Sequence, residues 1–187
     1  PACLTRLRGV VLLQTCCCIL AVDFAIFPRR FAKTEDFGYS LMDLGVGAAI
    51  VAAALPPRRA ADADDAPPAS PLRRHAPLLA LGVGRLLAVR AASYHEAVGE
   101  YGVHWNAFLT LGVAGGVAAS LAPAGAAACA ASGAALLAAH QAALSLGLGE
   151  WALHAPREGL VSANKEGLAS LPGYVALWWL SRAAGAI

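Results

Sequence analysis

Residues 23–43 read Asp23-Phe-Ala-Ile-Phe-Pro-Arg-Arg-Phe-Ala-Lys-Thr-Glu-Asp-Phe-Gly-Tyr-Ser-Leu-Met-Asp43 and join two strongly apolar segments of the chain. The stretch carries three basic and four acidic side chains. Charged side chains beside membrane-length apolar runs are costly to maintain, and they usually serve a chemical function. We therefore interpret this stretch as a connection between two membrane spans and as the first place to look for functional residues.

The composition of the whole chain favours a multi-span membrane protein. Its 187 residues are 58% hydrophobic and 14% charged, with a mean hydropathy of +0.59. A soluble domain averages about 45–50% apolar and about 25% charged residues. The net charge is only +2 and no Lys/Arg cluster with interleaved aromatic residues occurs, so we expect no nucleic-acid partner. The five cysteines lack metal-site spacing, and no metal is expected.

The apolar segments predict the fold class. About 20 mostly apolar residues cross a bilayer, and six segments approach this length: 7–22, 39–56, 77–93, 105–121, 126–148 and the region from 171 onward. We predict an all-α, polytopic membrane helix bundle that forms one domain over residues 1–187. Its Gly- and Ala-rich helices should pack closely. Because the chain starts with Pro1 and ends within an apolar run, we expect it to be an internal piece of a longer protein.

The segments between the predicted spans differ in character. Residues 57–76, rich in Pro, Ala and Asp, are predicted to form a flexible hydrophilic loop. Three other connections combine charged, aromatic and amide side chains: the first island (23–43), the second island (94–106) and the third island (150–174). If the six spans alternate in direction, all three islands emerge on one membrane face. We therefore predict that they converge on one site.

The first island contains a candidate acid–base pair. Asp23 ends an apolar segment, where a partly desolvated carboxylate can act as a base. Pro28 should turn the chain so that Lys33 comes back towards Asp23. A base beside a cation can take a hydroxyl proton while the cation offsets charge on a carbonyl oxygen. From spacing alone, a plainer interpretation is favoured, in which Asp23 ends the span and Lys33 is solvated.

Further candidates lie in all three islands. Arg29 and Arg30 suit either a phosphate or lipid headgroups. His95 and His104 are candidate bases, although an interfacial histidine is more often structural. The third island includes Ser162-Ala-Asn-Lys165-Glu166, which offers a nucleophile type but no GxSxG motif, and it is equally consistent with an exposed turn.

Four motifs in the islands point to one family. They are Phe27-Pro-Arg-Arg-Phe-Ala-Lys-Thr-Glu35, Gly38-Tyr-Ser-Leu-Met-Asp-Leu-Gly-Val-Gly47, Glu100-Tyr-Gly-Val-His-Trp-Asn106, and Arg157-Glu-Gly-Leu-Val-Ser-Ala-Asn-Lys-Glu-Gly167 with Ser170-Leu-Pro-Gly-Tyr174. In this order they resemble the signature of the GPI-anchor inositol acyltransferases, the PIG-W family, called GPI-anchored wall transfer proteins in fungi. The loop at 57–76 matches no motif of that family.

The resemblance implies a multi-pass enzyme of the endoplasmic reticulum membrane that acts in GPI-anchor biosynthesis. Such an enzyme moves a fatty acyl group, typically palmitoyl, from acyl-CoA to the inositol ring of glucosaminyl-phosphatidylinositol. The resemblance implies Asp23 as the catalytic base and Lys33 as its catalytic partner. The implied substrate-binding residues are Arg29, Arg30, Asp43, His104, Trp105, Asn106, Asn164 and Lys165. The expected partners are acyl-CoA as co-substrate, the glycolipid and membrane lipids, with no cofactor.

Two kinds of alternative stay open from the sequence. Within acyl transfer, His104 could replace Asp23 as the base. From another class, a lipid or solute transporter could use an intramembrane path of charged and polar side chains, namely Arg85, Arg90, His140 and Asp43. A purely structural subunit would fit the Gly- and Ala-rich spans but would leave the three islands without a role.

Overall fold

The computed structural model describes residues 2–34, 39–55, 70–93 and 98–186. Over these residues the chain is helical and contains no strand. The helices are α1 (Ala2–Ala21), α2 (Leu44–Ala54), α3 (Pro71–Ala91), α4 (Val98–Tyr101), α5 (Ala107–Ser120), α6 (Ala126–Ala143), α7 (Gly149–His154), α8 (Leu160–Ala163) and α9 (Lys165–Ala184). A 3-10 turn covers Arg29–Phe31, and a π-helical turn, Leu144–Leu148, joins α6 to α7. The all-α prediction is confirmed.

Two of the described helical stretches have the length and apolar composition to cross a membrane. They are Cys3–Ala21, with 19 residues, and Ala126–His154, with 29 residues. Helices α2 and α5 are apolar but have only 11 and 14 residues. Helices α3 and α9 are longer but carry several charged residues, including Arg85 and Lys165. The predicted number of six spans is therefore not confirmed.

Two predicted boundaries are wrong. Part of the predicted loop at 57–76 is helical, because α3 begins at Pro71. Ser70 accepts a hydrogen bond from the backbone N–H of Arg73 (3.3 Å), and proline fits the first helical position, so Ser70-Pro71 starts the helix. Residues 57–69 lie outside the described residues. The end of the third island is also helical, since α9 begins at Lys165 and continues through Pro172.

The bundle is organised around α9, which packs against α2, α5 and α6, while α3 packs against α5. A small core cluster consists of Ala114, Ala118 and Val175, with the rings of Trp178 and Trp179 against it. The indole N–H of Trp179 donates to the carbonyl of Ala118 (2.9 Å) and so fastens α9 to α5.

Glycines allow α3 and α5 to approach closely, as the sequence predicts. A Cβ atom built on Gly82 would lie 2.7 Å from Leu109 Cγ, and one built on Gly112 would lie 2.7 Å from Leu79 Cδ2. A Cβ atom on Gly115 would overlap the ring of His75. Leucine and histidine side chains therefore occupy the space that the missing Cβ atoms leave open.

Candidate active site

The three islands meet, as the sequence predicts. Lys33 of the first island forms an ion pair with Glu100, which lies in α4 within the second island. The backbone N–H of Val103 donates to the carbonyl of Ala163 (2.9 Å), which joins the second island to the third. His95, a candidate base, lies outside the described residues.

Gly102 lies at the junction between the second and third islands. Its φ of +112° is in the left-handed region that favours glycine. A Cβ atom at this position would lie 2.5 Å from Asn164 Cα and 2.7 Å from the carbonyl oxygen of Ala163. Because residue 102 has no side chain, the two backbones can touch directly.

The first island turns sharply after α1. The Arg29 guanidinium donates to the carbonyls of Val22 (2.9 Å) and Phe24 (3.3 Å), close to the end of α1. Both residues follow the last turn of α1, and the Phe24 carbonyl also accepts from the backbone N–H of Phe27 (3.0 Å). The exposed Arg30 guanidinium lies 4.6 Å from the centre of the Phe31 ring. Arg29 thus stabilises the turn, and both arginines remain near the surface.

Asp43 closes the other end of the first island. One carboxylate oxygen accepts a hydrogen bond from the backbone N–H of Thr34 (3.3 Å), and the other accepts one from the Thr34 hydroxyl (3.1 Å). Asp43 immediately precedes α2, so these bonds tie the segment that carries Lys33 to the start of that helix. Residues 35–38, between the two ends, lie outside the described residues.

Lys33 lies against Glu100 rather than against Asp23. Asp23 is exposed, two residues beyond α1, and within the described part of the chain it forms no ion pair with Lys33. The ammonium nitrogen of Lys33 also lies 5.3 Å from the centre of the Tyr101 ring, within the range of a cation–π contact. The structure therefore does not bring the two predicted catalytic residues together as an ion pair.

His104, Trp105 and Asn106 immediately precede α5. Asn106 is buried; its side-chain oxygen accepts from the N–H of Leu109 (3.1 Å), and its amide donates to the carbonyl of Gly82 (2.9 Å). It therefore caps α5 and joins it to α3. The Trp105 indole donates to the Thr110 hydroxyl (2.9 Å).

His104 differs from its two neighbours because part of its ring is unsatisfied. Its backbone N–H donates to the Asn164 side-chain oxygen (2.7 Å), which fixes the position of the residue. Its ring atom Nδ1 is buried and has no hydrogen-bond partner among the residues that the structure describes. A buried polar atom without a partner is costly, and such an atom can be satisfied by a bound substrate.

Lys165 and Asn164 are buried within the third island. Lys165 is only 2% exposed, and its ammonium donates to the carbonyl of Ala155 (2.6 Å). The Asn164 amide donates to the carbonyl of Leu160 (2.8 Å). Beside them, Arg157 forms a two-point ion pair with Glu166. These contacts hold the loop that precedes α9 in a fixed shape.

An apolar cavity of about 450 Å³ lies beside the contact between Lys33 of the first island and Glu100 of the second island. Helices α1 and α2 form most of its wall, with side chains such as Val11, Ile19 and Leu44. Glu100 and Tyr101 also line it and, together with Gln14 and Thr15 of α1, bring polar groups to the mainly apolar wall. Burial, and next the adjacent Glu100 carboxylate, raise the pKa of Tyr101, so its hydroxyl stays protonated and can donate a hydrogen bond.

Sequence reasoning did not assign a role to Glu100, although this residue links the cavity to Lys33. Glu100 was visible only as the first residue of a family motif. The sequence does not indicate that Glu100 pairs with Lys33, because the two residues are far apart along the chain. Of the residues proposed for a transport path, His140 has a structural partner, since its Nε2 atom lies 2.8 Å from the carbonyl oxygen of Ala169 in α9.

These features define a class: a protein whose described residues are helical, include two membrane-length apolar helices, and form a polar junction of three connecting segments beside an apolar cavity. Within that class, the GWT1 family model matches residues 1–187, and the chain belongs to the GWT1 family. This membership confirms the family resemblance of the motifs.

Curated relatives show the same membership. GPI-anchored wall transfer protein 1 of Yarrowia lipolytica is 39% identical over 96% of this chain and 39% of its own length. The protein of the same name from Schizosaccharomyces pombe is 39% identical over 98% of this chain and 40% of its own length. The phosphatidylinositol-glycan biosynthesis class W protein of Dictyostelium discoideum is 34% identical over 97% of this chain. The chain spans 39% to 46% of the length of these relatives.

Proposed function

We propose that the protein containing this chain is an acyl-CoA-dependent O-acyltransferase of the endoplasmic reticulum membrane. It moves a fatty acyl group to the inositol ring of glucosaminyl-phosphatidylinositol during GPI-anchor biosynthesis. Family membership supports the pathway, since relatives are named for GPI-anchored wall transfer and phosphatidylinositol-glycan biosynthesis. The observation that carries the proposal is the apolar cavity between α1 and α2, into which Glu100, the ion-pair partner of Lys33, projects.

The cavity suits an acyl chain. Its walls are mainly aliphatic, and its volume of about 450 Å³ falls within the range of small-molecule sites, roughly 300–1,000 Å³. An acyl chain bound there would bring its thioester to the polar groups that line or adjoin the cavity. Lys33 adjoins it through Glu100 and so can stabilise negative charge on the thioester oxygen.

The proposed step is a direct transfer. An inositol hydroxyl oxygen attacks the thioester carbonyl carbon, and its proton passes to the carboxylate of Asp23. Lys33 offsets the charge on the carbonyl oxygen until the carbon–sulfur bond breaks. The departing thiolate takes up a proton from water and coenzyme A leaves as the thiol, while the protonated Asp23 releases the hydroxyl proton to water and is restored as a carboxylate. The role of Asp23 rests on the family resemblance, and that of Lys33 rests also on its position.

The residues that the family resemblance implies for substrate binding divide into groups that can contact the glycolipid and groups that hold them in place. Arg29 and Arg30 remain near the surface of the first island, where guanidinium groups suit the phosphate of the glycolipid. The ring nitrogen Nδ1 of His104, which has no partner within the described part of the chain, offers a hydrogen bond to a sugar hydroxyl. Asp43, Trp105, Asn106, Asn164 and Lys165 act by holding these groups in place, since their polar atoms are bonded within the protein.

Complementation of cells that lack inositol acylation tests the proposal. The protein is expressed at full length as wild type, Asp23→Asn or Lys33→Ala, and acyl-inositol glycolipid is measured by mass spectrometry of extracted lipids. We expect the wild type to restore the product and each variant to lower its formation by about 100-fold or more. Glu150→Gln is the control, because this side chain is 82% exposed and its ion pair is with the similarly exposed His154 of the same helix.

The outcomes separate the parts of the proposal. A wild type that is present at normal level but forms no acyl-inositol would contradict the acyltransferase function. Normal activity of Asp23→Asn would move the role of base to His104, which His104→Ala would then test. Normal activity of Lys33→Ala would show that the Lys33 ammonium does not stabilise the charge on the thioester oxygen.

A further inference from the structure

Glu100 occupies the contact between the first island and the cavity. Its carboxylate pairs with Lys33, and Glu100 itself lines the cavity together with the next residue, Tyr101. The 3-10 turn ends at Phe31, and Lys33 lies in a segment without regular structure. A long side chain on such a segment is ordered by its tertiary contacts. Here those contacts are the Glu100 carboxylate and the Tyr101 ring.

The helix that carries Glu100 is itself fixed. The N–H of Gly102 donates to the carbonyl of Val98 (3.0 Å), which closes α4. The following residue, Val103, bonds to the carbonyl of Ala163 in the third island (2.9 Å). Glu100 therefore projects from a short helix that the third island holds in place, and it can set the position of a side chain from the first island.

We propose that Glu100 is a positioning residue that holds the Lys33 ammonium beside the cavity. This inference rests on the proposed acyl transfer. An ammonium has three N–H donors, so a Lys33 that bonds to Glu100 keeps donors for the thioester oxygen. The carboxylate fixes the direction of those donors, and Tyr101 supports the ammonium from its ring face.

Because the Lys33–Glu100 ion pair is partly exposed, an effect of its loss on the reaction rate can be distinguished from an effect on stability. The side chains of Lys33 and Glu100 are 40% and 31% exposed. Ion pairs with this much solvent contact contribute little to stability. Loss of the Glu100 charge should therefore leave the fold intact, while displacement of a reacting group can slow a reaction by about 100-fold.

The test uses Glu100→Gln and Glu100→Asp in the full-length protein, with Glu150→Gln as control. For Glu100→Gln we expect kcat to fall by about 10- to 100-fold, with KM for the acyl donor changed by less than about threefold. Glu100→Asp keeps the charge and should recover part of the rate. Thermal unfolding and protein level should match the wild type in all three variants.

A second readout does not depend on activity. The chain contains two lysines, Lys33 and the buried Lys165. An amine-reactive reagent, followed by peptide mass spectrometry, reports the reactivity of each. Because Glu100→Gln releases the Lys33 amine, we expect its modification to become at least about twofold faster. Lys165 should stay unmodified in every variant.

Four results would overturn the inference. The first is a kcat of Glu100→Gln within twofold of wild type, and the second is a Lys33 modification rate that does not change. The third is a parallel loss of activity, protein level and thermal stability in both Glu100 variants, which would assign Glu100 a structural role. The fourth is a wild type that forms no acyl-inositol, which overturns the acyltransferase proposal and this inference with it.

Discussion

Gly102 is the residue on which the contact between the second and third islands depends. Substitution by alanine adds a Cβ atom 2.5 Å from Asn164 Cα, at a φ of +112°. Backbone atoms cannot move aside as the end of a side chain can, so the islands must separate. We expect Gly102→Ala to lower the unfolding free energy by about 2–4 kcal/mol, through strain and overpacking together. Thermal unfolding of the purified full-length protein measures this loss.

Gly125 provides the matched control for that substitution. Its φ is +83°, also in the left-handed region, but a Cβ atom there would meet nothing within 4 Å. Its ψ is 162°, a combination that only glycine adopts readily, so Gly125→Ala reports backbone strain without a steric contact, about 1–3 kcal/mol. If both variants lose the same stability, the close approach of Gly102 to Asn164 does not contribute, and our account of the junction is wrong.

The two lysines show what residue-level reasoning from sequence can and cannot establish. Both were selected because each lies in a polar island, and the sequence alone does not distinguish their surroundings. In the structure, Lys165 is 2% exposed and bonds to the carbonyl of Ala155, whereas Lys33 reaches Glu100 beside the cavity. Which partner a lysine finds depends on tertiary contacts between distant segments, which spacing does not report.

At the level of helices, α3 and α5 depend on a series of glycines. Leu79 packs over Gly112, Leu109 packs over Gly82, and His75 packs over Gly115. We expect Gly112→Leu to separate the two helices, because its side chain would occupy the space of Leu79. Overpacking of this kind costs about 1–3 kcal/mol, and it should appear as a lower unfolding temperature of the purified protein.

Gly84→Leu is the control for the helix prediction. Gly84 lies on an exposed face of α3, and a Cβ atom there meets nothing within 4 Å. Leucine also has a higher helix propensity than glycine, so this variant should be neutral or slightly more stable. A Gly112→Leu protein as stable as Gly84→Leu would contradict the close packing of α3 on α5.

The sequence predicts which segments form helices, but it predicts less well the residues at which those helices begin and end. The apolar segments correctly located α1, α2, α5 and α6, because each is an almost continuous apolar run. The start of α3 was missed since the charged and proline-rich composition of residues 57–76 outweighed the local cap formed by Ser70-Pro71. The predicted start of α9 at about residue 171 is too late, because the polar residues before Pro172 are typical of a loop.

At the scale of the molecule, the alternation of spans predicted that three distant polar segments would meet, and they do. The same reasoning could not give the number of complete spans, because it judged apolar length without knowing where helices begin and end. It also did not reveal the cavity, which arises from the way α1 lies against α2 beside Glu100. A cavity is a property of packing, and hydropathy does not encode it.

The exposed apolar surface of α1 leads to a prediction for the whole molecule in a membrane. Cys16 and Cys17 lie on this helix and are exposed, whereas Cys129 in α6 is buried. If lipid covers α1, a single-cysteine protein with Cys16 should resist a charged maleimide in native membranes, even after permeabilisation, because neither the reagent nor a thiolate enters the hydrocarbon region. The same protein should react after denaturation.

Two further single-cysteine proteins make that result specific. Glu158→Cys, at an exposed residue of the third island, should react with the charged maleimide in membranes that are open on the appropriate side. The protein with only Cys129 should not react in native membranes, whether or not they are permeabilised, since Cys129 is 1% exposed in the folded protein. A photoreactive probe dissolved in lipid should label the α1 peptide. Rapid maleimide modification of Cys16 in membranes would place α1 in water, and the cavity between α1 and α2 could not then serve as a lipid-facing acyl site.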